Sequence, residues 1–98
     1  MPLTIDQIKL LRTMARDLKP TVMIGKDGMS EKVVARADEV LEAHELVKCS
    51  LLDSNGLDPR EAADSLARST YSEVVQVIGH KFVLYRETKR KGAKKILG

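Results

Sequence analysis

The stretch EVVQVIGHKFVLYR, residues 73–86, restricts what this chain can fold into more than any other. Two runs rich in β-branched and aromatic residues flank Gly79-His80, and a two-residue spacer of this kind joins the strands of a tight hairpin. Residues 73–78 and 81–86 are therefore expected to pair antiparallel. Two more short apolar runs, 21–24 and 46–52, lie upstream, and a helical pattern follows each of them. A strand that returns to its sheet through a helix pairs in parallel with its neighbour. The hairpin and the crossovers together predict a mixed, four-stranded sheet in the order α-β-α-β-α-β-β. The expected fold is α+β (α/β mixed) in a single domain, with three helices packed mainly on one face of the sheet.

The helices carry their own boundary signals. Thr4 offers an N-cap hydroxyl with Gln7 at the capping-box position, and Ile8, Leu11, Ala15 and Leu18 follow at helical spacing, widened by Leu10 and Met14. Pro20 is expected to end this helix, because its ring disfavours a helical conformation at Lys19. Ser30 caps the second helix, with Glu31 at the positive end of its dipole and Val33, Val34, Ala37, Val40 and Leu41 as its apolar face. Ser54-Asn55-Gly56 reads as a turn. Asp58-Pro59-Arg60-Glu61 then opens the third helix with an acidic cap and a proline at its first position. Ala62, Ala63, Leu66 and Ala67 suit close packing on a sheet. In the strand 46–52, Val47, Cys49 and Leu51 face one way while Lys48 and Ser50 face the other.

A chain of 98 residues is one small domain, and 43% hydrophobic content supplies one core. There is no Trp, and the aromatics are Phe82, Tyr71 and Tyr85, so the core is expected to be aliphatic. The single Cys49 excludes an internal disulfide and an all-cysteine metal site, and reads as a small buried hydrophobe. A reducing compartment fits, and the cytoplasm is expected. Met1 leads directly into a polar, capped helix without a visible signal peptide, and no apolar run approaches the ~20 residues of a membrane span. Net charge is +3 but unevenly placed. Arg86, Lys89, Arg90, Lys91, Lys94 and Lys95 stand against Glu87 alone, so residues 86–98 carry +5 and residues 1–85 carry −2. Residues 1–86 are read as the domain and 87–98 as a basic, mobile tail. That asymmetry suits a polyanion partner, or simply a solubilising tail.

Enzymatic chemistry finds little support. A nucleophile needs an orienting base, and neither His44 nor His80 sits in a nucleophile motif. His44 stands at a helix end, where a capping role suits it. No Cys/His pair has zinc spacing, and no cofactor or small-molecule substrate is indicated.

Residues 25–28, GKDG, join a short strand to a helix. The motif lacks the ending of a P-loop and the spacing of GxGxxG. One reading is a turn with two glycines at positive φ. The other is a backbone clamp. Gly25 and Gly28 would let a sugar-phosphate chain approach, with Lys26 and the following helix N-terminus supplying positive charge, as in the GXXG loop of KH modules. Asp27 opposes phosphate, or shapes the turn through its own hydrogen bonds. Lys9, Arg12, Arg16 and Lys19 add a basic stripe: at about 100° per residue they fall within ~80° of arc on the first helix. An ordinary solvated face would look the same. Tyr85 could stack a base or be a half-buried sheet residue, and Arg86 is the better contact candidate, followed by Lys89, Arg90 and Lys91.

Three blocks in order, LKPTVMIGKDGMS, HELVKCSLL and VVQVIGHKFVLYR, resemble the bacterial YhbY proteins, stand-alone versions of the CRM domain (chloroplast RNA splicing and ribosome maturation). The resemblance covers nearly the whole chain. It implies a fold like the C-terminal domain of translation initiation factor 3, preceded by a helix. It also implies RNA binding through Gly25, Lys26, Asp27 and Gly28 and the adjoining basic surface. Bacterial members are associated with precursors of the large ribosomal subunit, and plant relatives assist group II intron splicing. Cys49 stands where a β-branched residue is expected.

The expectation is a non-enzymatic RNA-binding protein that recognises ribosomal RNA in large-subunit precursors through its backbone, with no membrane partner. The alternative is a protein-interaction module that docks on a ribosomal or regulatory protein.

Overall fold

The computed structural model describes residues 3–25, 28–52, 56–89, 92 and 95–97. The elements appear in the expected order: α1 (Ile5–Arg16), β1 (Val22–Ile24), α2 (Glu31–His44), β2 (Leu46–Leu51), α3 (Pro59–Thr70), β3 (Glu73–Ile78) and β4 (Lys81–Tyr85). The sheet is mixed, in the order β1-β2-β4-β3. β1 runs parallel to β2, and β4 lies antiparallel between β2 and β3. No helix among the described residues is long and apolar enough to cross a membrane.

The caps form as the sequence suggests. Thr4 and Gln7 satisfy each other's backbone N–H groups in a complete capping box. The Ser30 hydroxyl accepts from Val33 N, and the Asp58 carboxylate accepts from Glu61 N behind Pro59. The expected turn at Ser54 and Asn55 lies outside the described residues.

α1 ends earlier than Pro20 requires. Its last helical residue is Arg16, with Asp17 as the C-cap. The terminal carbonyl of Ala15 accepts from Leu18 N at 3.1 Å and from Lys48 Nζ at 3.2 Å. A cation on β2 thus satisfies a helix-end carbonyl, and the tightened turn releases the chain before the proline is reached. Leu18 consequently lies past the helix, and Leu10, Met14 and Leu18 all remain exposed while Leu11 and Ala15 are buried.

Two of the three helices share one face, and α1 packs on part of the other. Beneath α2 and α3, Val22, Ile24, Val47, Cys49, Leu51, Phe82 and Leu84 of the sheet pack with Ala37, Val40, Leu41 and the small face of α3. Each large side chain fully buried there contributes about 1.5–3 kcal/mol. On the opposite face Leu11 and Ala15 pack on Leu46, Val75, Val83 and Tyr85. Both sides of β2 are therefore buried except near Lys48, so its alternation is one of residue type more than of exposure.

A register shift in β3 matters for this second face. Val74 pairs with Leu84 and Gln76 with Val83, leaving Val75 as the extra residue of a bulge. A bulge turns two consecutive side chains to one side. Val75 joins the α1-side core, and Gln76 opens onto a cleft beside it.

Some described residues beyond 86 make specific contacts with the rest of the fold. Thr88 is buried, and its backbone N donates to Glu45 Oε2 at 2.7 Å. Ile96 N donates to Glu45 Oε1 at 2.7 Å, and Ile96 and Leu97 pack on the α1-side core. These two apolar residues are too few to show a periodic pattern, which is why the sequence reads as an unstructured basic run. Glu45 is itself buried and left-handed, with φ 65°.

Candidate nucleic-acid interface

One row of residues crosses the sheet on the α1 side: Met23 of β1, Ser50 of β2, Lys81 of β4 and Ile78 of β3. Met23 lies two residues before Gly25, so the GKDG loop begins at the β1 end of this row. α2 starts just beyond the loop, behind its Ser30 cap, and its helix dipole presents positive charge to the same end of the sheet.

At the ends of the loop Gly28 N donates to Gly25 O at 2.9 Å. That amide is bonded within the chain and is not offered to a ligand. Only Gly28 of the two glycines has a positive φ, 66°, so the expectation of two such glycines is corrected. A Cβ at Gly25 would meet Leu52 Cδ1 at 3.4 Å, an ordinary contact, so packing within the chain does not itself demand glycine there. Lys26 and Asp27 lie outside the described residues.

The basic stripe divides. Lys9, Arg12 and Arg16 are exposed on α1, whereas Lys19 falls beyond the helix and does not share its periodicity. Arg12 and Arg16 line a cleft of about 290 Å³ together with Lys48, Gln76, Ile78 and Lys81. Lys19 lines a neighbouring hollow of about 270 Å³ with Lys48, Met14, Leu18, His44 and Ile96. Among the described residues, none of these cations is paired with a carboxylate. Arg12 Nε instead donates to Val75 O at 3.4 Å, and Lys48 to Ala15 O. Neutral carbonyls hold these two cations in place without cancelling their charge.

Arg86 is placed elsewhere. Its guanidinium donates to Asp38 Oδ1 at 2.6 Å, Thr70 O at 2.8 Å and Glu42 Oε2 at 3.2 Å, and its side chain is 14% exposed. It joins α2, α3 and the end of β4 and has little left to offer a ligand. Tyr85 is likewise buried, which raises its pKa, and it cannot stack a base. Lys89 is exposed while its backbone N donates to Glu42, whereas Arg90 and Lys91 lie outside the described residues. His44 and His80 stand at opposite ends of β2, because His80 O accepts from Leu51 N while His44 precedes Leu46. They form no catalytic pair.

Lys48, Lys81 and Gln76 were not singled out in the sequence. Lys48 interrupts an apolar strand, and that interruption is the signal that could have found it, whereas Lys81 opens β4 next to the hairpin turn and reads as part of that turn. Gln76 needed the bulge.

These features define a small α+β module with an open, cation-lined sheet face beside a glycine turn. The chain belongs to the CRS1/YhbY (CRM) domain family, whose model matches residues 3–86. It is 38% identical over 87 residues to the probable RNA-binding protein YqeI of Bacillus subtilis, covering 89% of this chain and 91% of that one. With the probable RNA-binding protein MJ0652 of Methanocaldococcus jannaschii it shares 39% identity over 97 residues, 97% of this chain and 70% of the relative. The solution structure of SAV1595 from Staphylococcus aureus superimposes with a TM-score of 0.77 at 41% identity, covering 92% and 94% of the two chains.

Proposed function

We propose that this chain is a cytoplasmic, non-enzymatic RNA-binding protein that engages ribosomal RNA in precursors of the large subunit and assists their assembly. The observation that carries the reading is the set of cations without a carboxylate partner among the described residues, Arg12, Arg16, Lys48 and Lys81, gathered on the sheet face that leads to the GKDG loop. Like charges held together reduce stability unless an anion joins them, and a phosphodiester chain supplies one at every nucleotide. The RNA-binding names of YqeI and MJ0652 support the same partner class. In this reading Gly25 and Gly28 allow the RNA backbone to approach, Lys26 meets phosphate, Lys9 and Lys19 extend the track, and the basic tail from Lys89 onward adds non-specific affinity. Such contacts position RNA without reading its sequence.

The test is binding to fragments of large-subunit ribosomal RNA at fixed salt, comparing wild type with a folded Gly25→Asp, Lys26→Ala variant. A loss of tenfold or more, about 1.4 kcal/mol, is expected. Equal affinity would make GKDG a turn only. Sedimentation of cell extracts tests the assembly role: the protein should travel with particles lighter than the mature large subunit.

A further inference from the structure

The cleft between α1 and the sheet has more chemistry than backbone recognition needs. Phosphate requires only cations, and Arg12, Arg16, Lys48 and Lys81 supply them. Yet the same cleft has an apolar floor of Ala15 and Val83, an apolar wall at Ile78, and the carboxamide of Gln76, which both donates and accepts hydrogen bonds. At about 290 Å³ it is close to the lower end of the roughly 300–1,000 Å³ typical of ligand pockets. That is room for one nucleobase with its sugar, and not for a base pair. Among the described residues no carboxylate lines it. Ile78 is 62% exposed and Met23 54% exposed, so the row from the GKDG turn to the cleft carries an apolar side chain at each end and Lys81 between them.

We propose that this cleft receives a single unpaired nucleotide of the bound RNA. The phosphate lies at the rim formed by Arg12, Arg16 and Lys81, the base enters against Ile78 and Val83, and Gln76 bonds its edge. The inference rests on the RNA-binding reading and deepens it: the protein selects looped or single-stranded RNA over continuous duplex, whose bases cannot leave the stack without loss of pairing.

The test uses the full chain, labelled with ¹⁵N and titrated with adenosine 5′-monophosphate, uridine 5′-monophosphate and inorganic phosphate. The amides of Gln76, Ile78, Lys81 and Arg16 should move saturably with the nucleotides and much less with phosphate. Binding of a single-stranded 12-mer and of its blunt duplex is then compared at one salt concentration. Wild type should favour the single strand at least tenfold. A folded Gln76→Ala, Ile78→Ala variant should narrow that ratio threefold or more with an unchanged salt slope, because no cation is removed. Identical shifts for phosphate and nucleotide, or equal affinity for strand and duplex, would overturn the proposal. If the preference is absent while Gly25→Asp, Lys26→Ala still weakens RNA binding, only the cleft inference fails. If wild type binds neither RNA, both fail.

Discussion

Glu45→Gly separates backbone strain from side-chain function at one position. Glu45 is the C-cap of α2 in the left-handed region, φ 65°, where glycine is the residue most at ease. On backbone grounds the substitution should stabilise by about 1 kcal/mol. The side chain argues the other way. Its two oxygens each accept a 2.7 Å hydrogen bond, from Thr88 N and Ile96 N. A hydrogen bond to a charged group contributes about 1.5–3 kcal/mol. Thr88 is 4% exposed, so its N–H would be left without water, while half-buried Ile96 can rehydrate and recover part of its loss. Counting one bond in full and the other in part gives a loss of about 3–4 kcal/mol, and a net destabilisation of ~2–3 kcal/mol. Tyr71 supplies the control. It is the left-handed cap of α3, φ 55°, and it is 90% exposed, so Tyr71→Gly should raise stability by up to about 1 kcal/mol. Urea unfolding followed by circular dichroism measures both variants. Amide exchange at Thr88 and Ile96 should accelerate at least tenfold in Glu45→Gly alone. If Glu45→Gly proves as stable as wild type, or gains stability as Tyr71→Gly does, the carboxylate does not anchor the C-terminal segment and the reasoning is wrong.

Other positions yield shorter predictions. Arg86→Met should cost about 2 kcal/mol, less than a fully buried pair because Asp38 and Glu42 can rehydrate, and should change the RNA affinity of the folded protein less than twofold. Chemical denaturation and RNA titration of the same sample would check this, and a tenfold affinity loss would return Arg86 to the interface. The carboxyl of Glu42 is held below its ordinary 4.5, chiefly by the backbone N–H of Lys89 and then by Thr88 and Arg86, against an opposing cost of burial. A lowered folded pKa means that its contribution is complete above the unfolded value and fades as pH falls through the folded one. Acid should therefore loosen the 86–89 segment, and Glu42→Gln should flatten this dependence in exchange rates at Lys89. Burial pushes the Cys49 thiol up to about 12, so at pH ~8 it should react with a disulfide reagent only as fast as the protein opens. Rapid labelling of the native protein would show that β2 is not sealed.

Local rules made most of the fold legible. Thr4, Ser30 and Asp58 cap their helices because a side-chain oxygen three residues from an unpaired N–H satisfies it wherever the helix lies. The Gly79-His80 spacer fixed the hairpin, and the helical crossover fixed the parallel β1–β2 pair. The glycine turn and the stripe on α1 could also be read, because both are short-range patterns. By itself, then, the sequence determined the elements, the mixed sheet and the cationic face of α1. Only the tertiary structure decided the rest, since the deciding contacts join residues far apart in the chain. Lys48 bonds a carbonyl at the end of α1, 33 positions away. Glu45 accepts from the backbones of Thr88 and Ile96, 43 and 51 positions away, and Asp38, Glu42 and Thr70 take up the Arg86 guanidinium between α2 and α3. The bulge at Val75 placed Gln76 beside cations drawn from α1, β2 and β4. Charge pattern along a chain shows how much positive charge there is. Which of it is cancelled by an acid depends on what folding brings within about 4 Å.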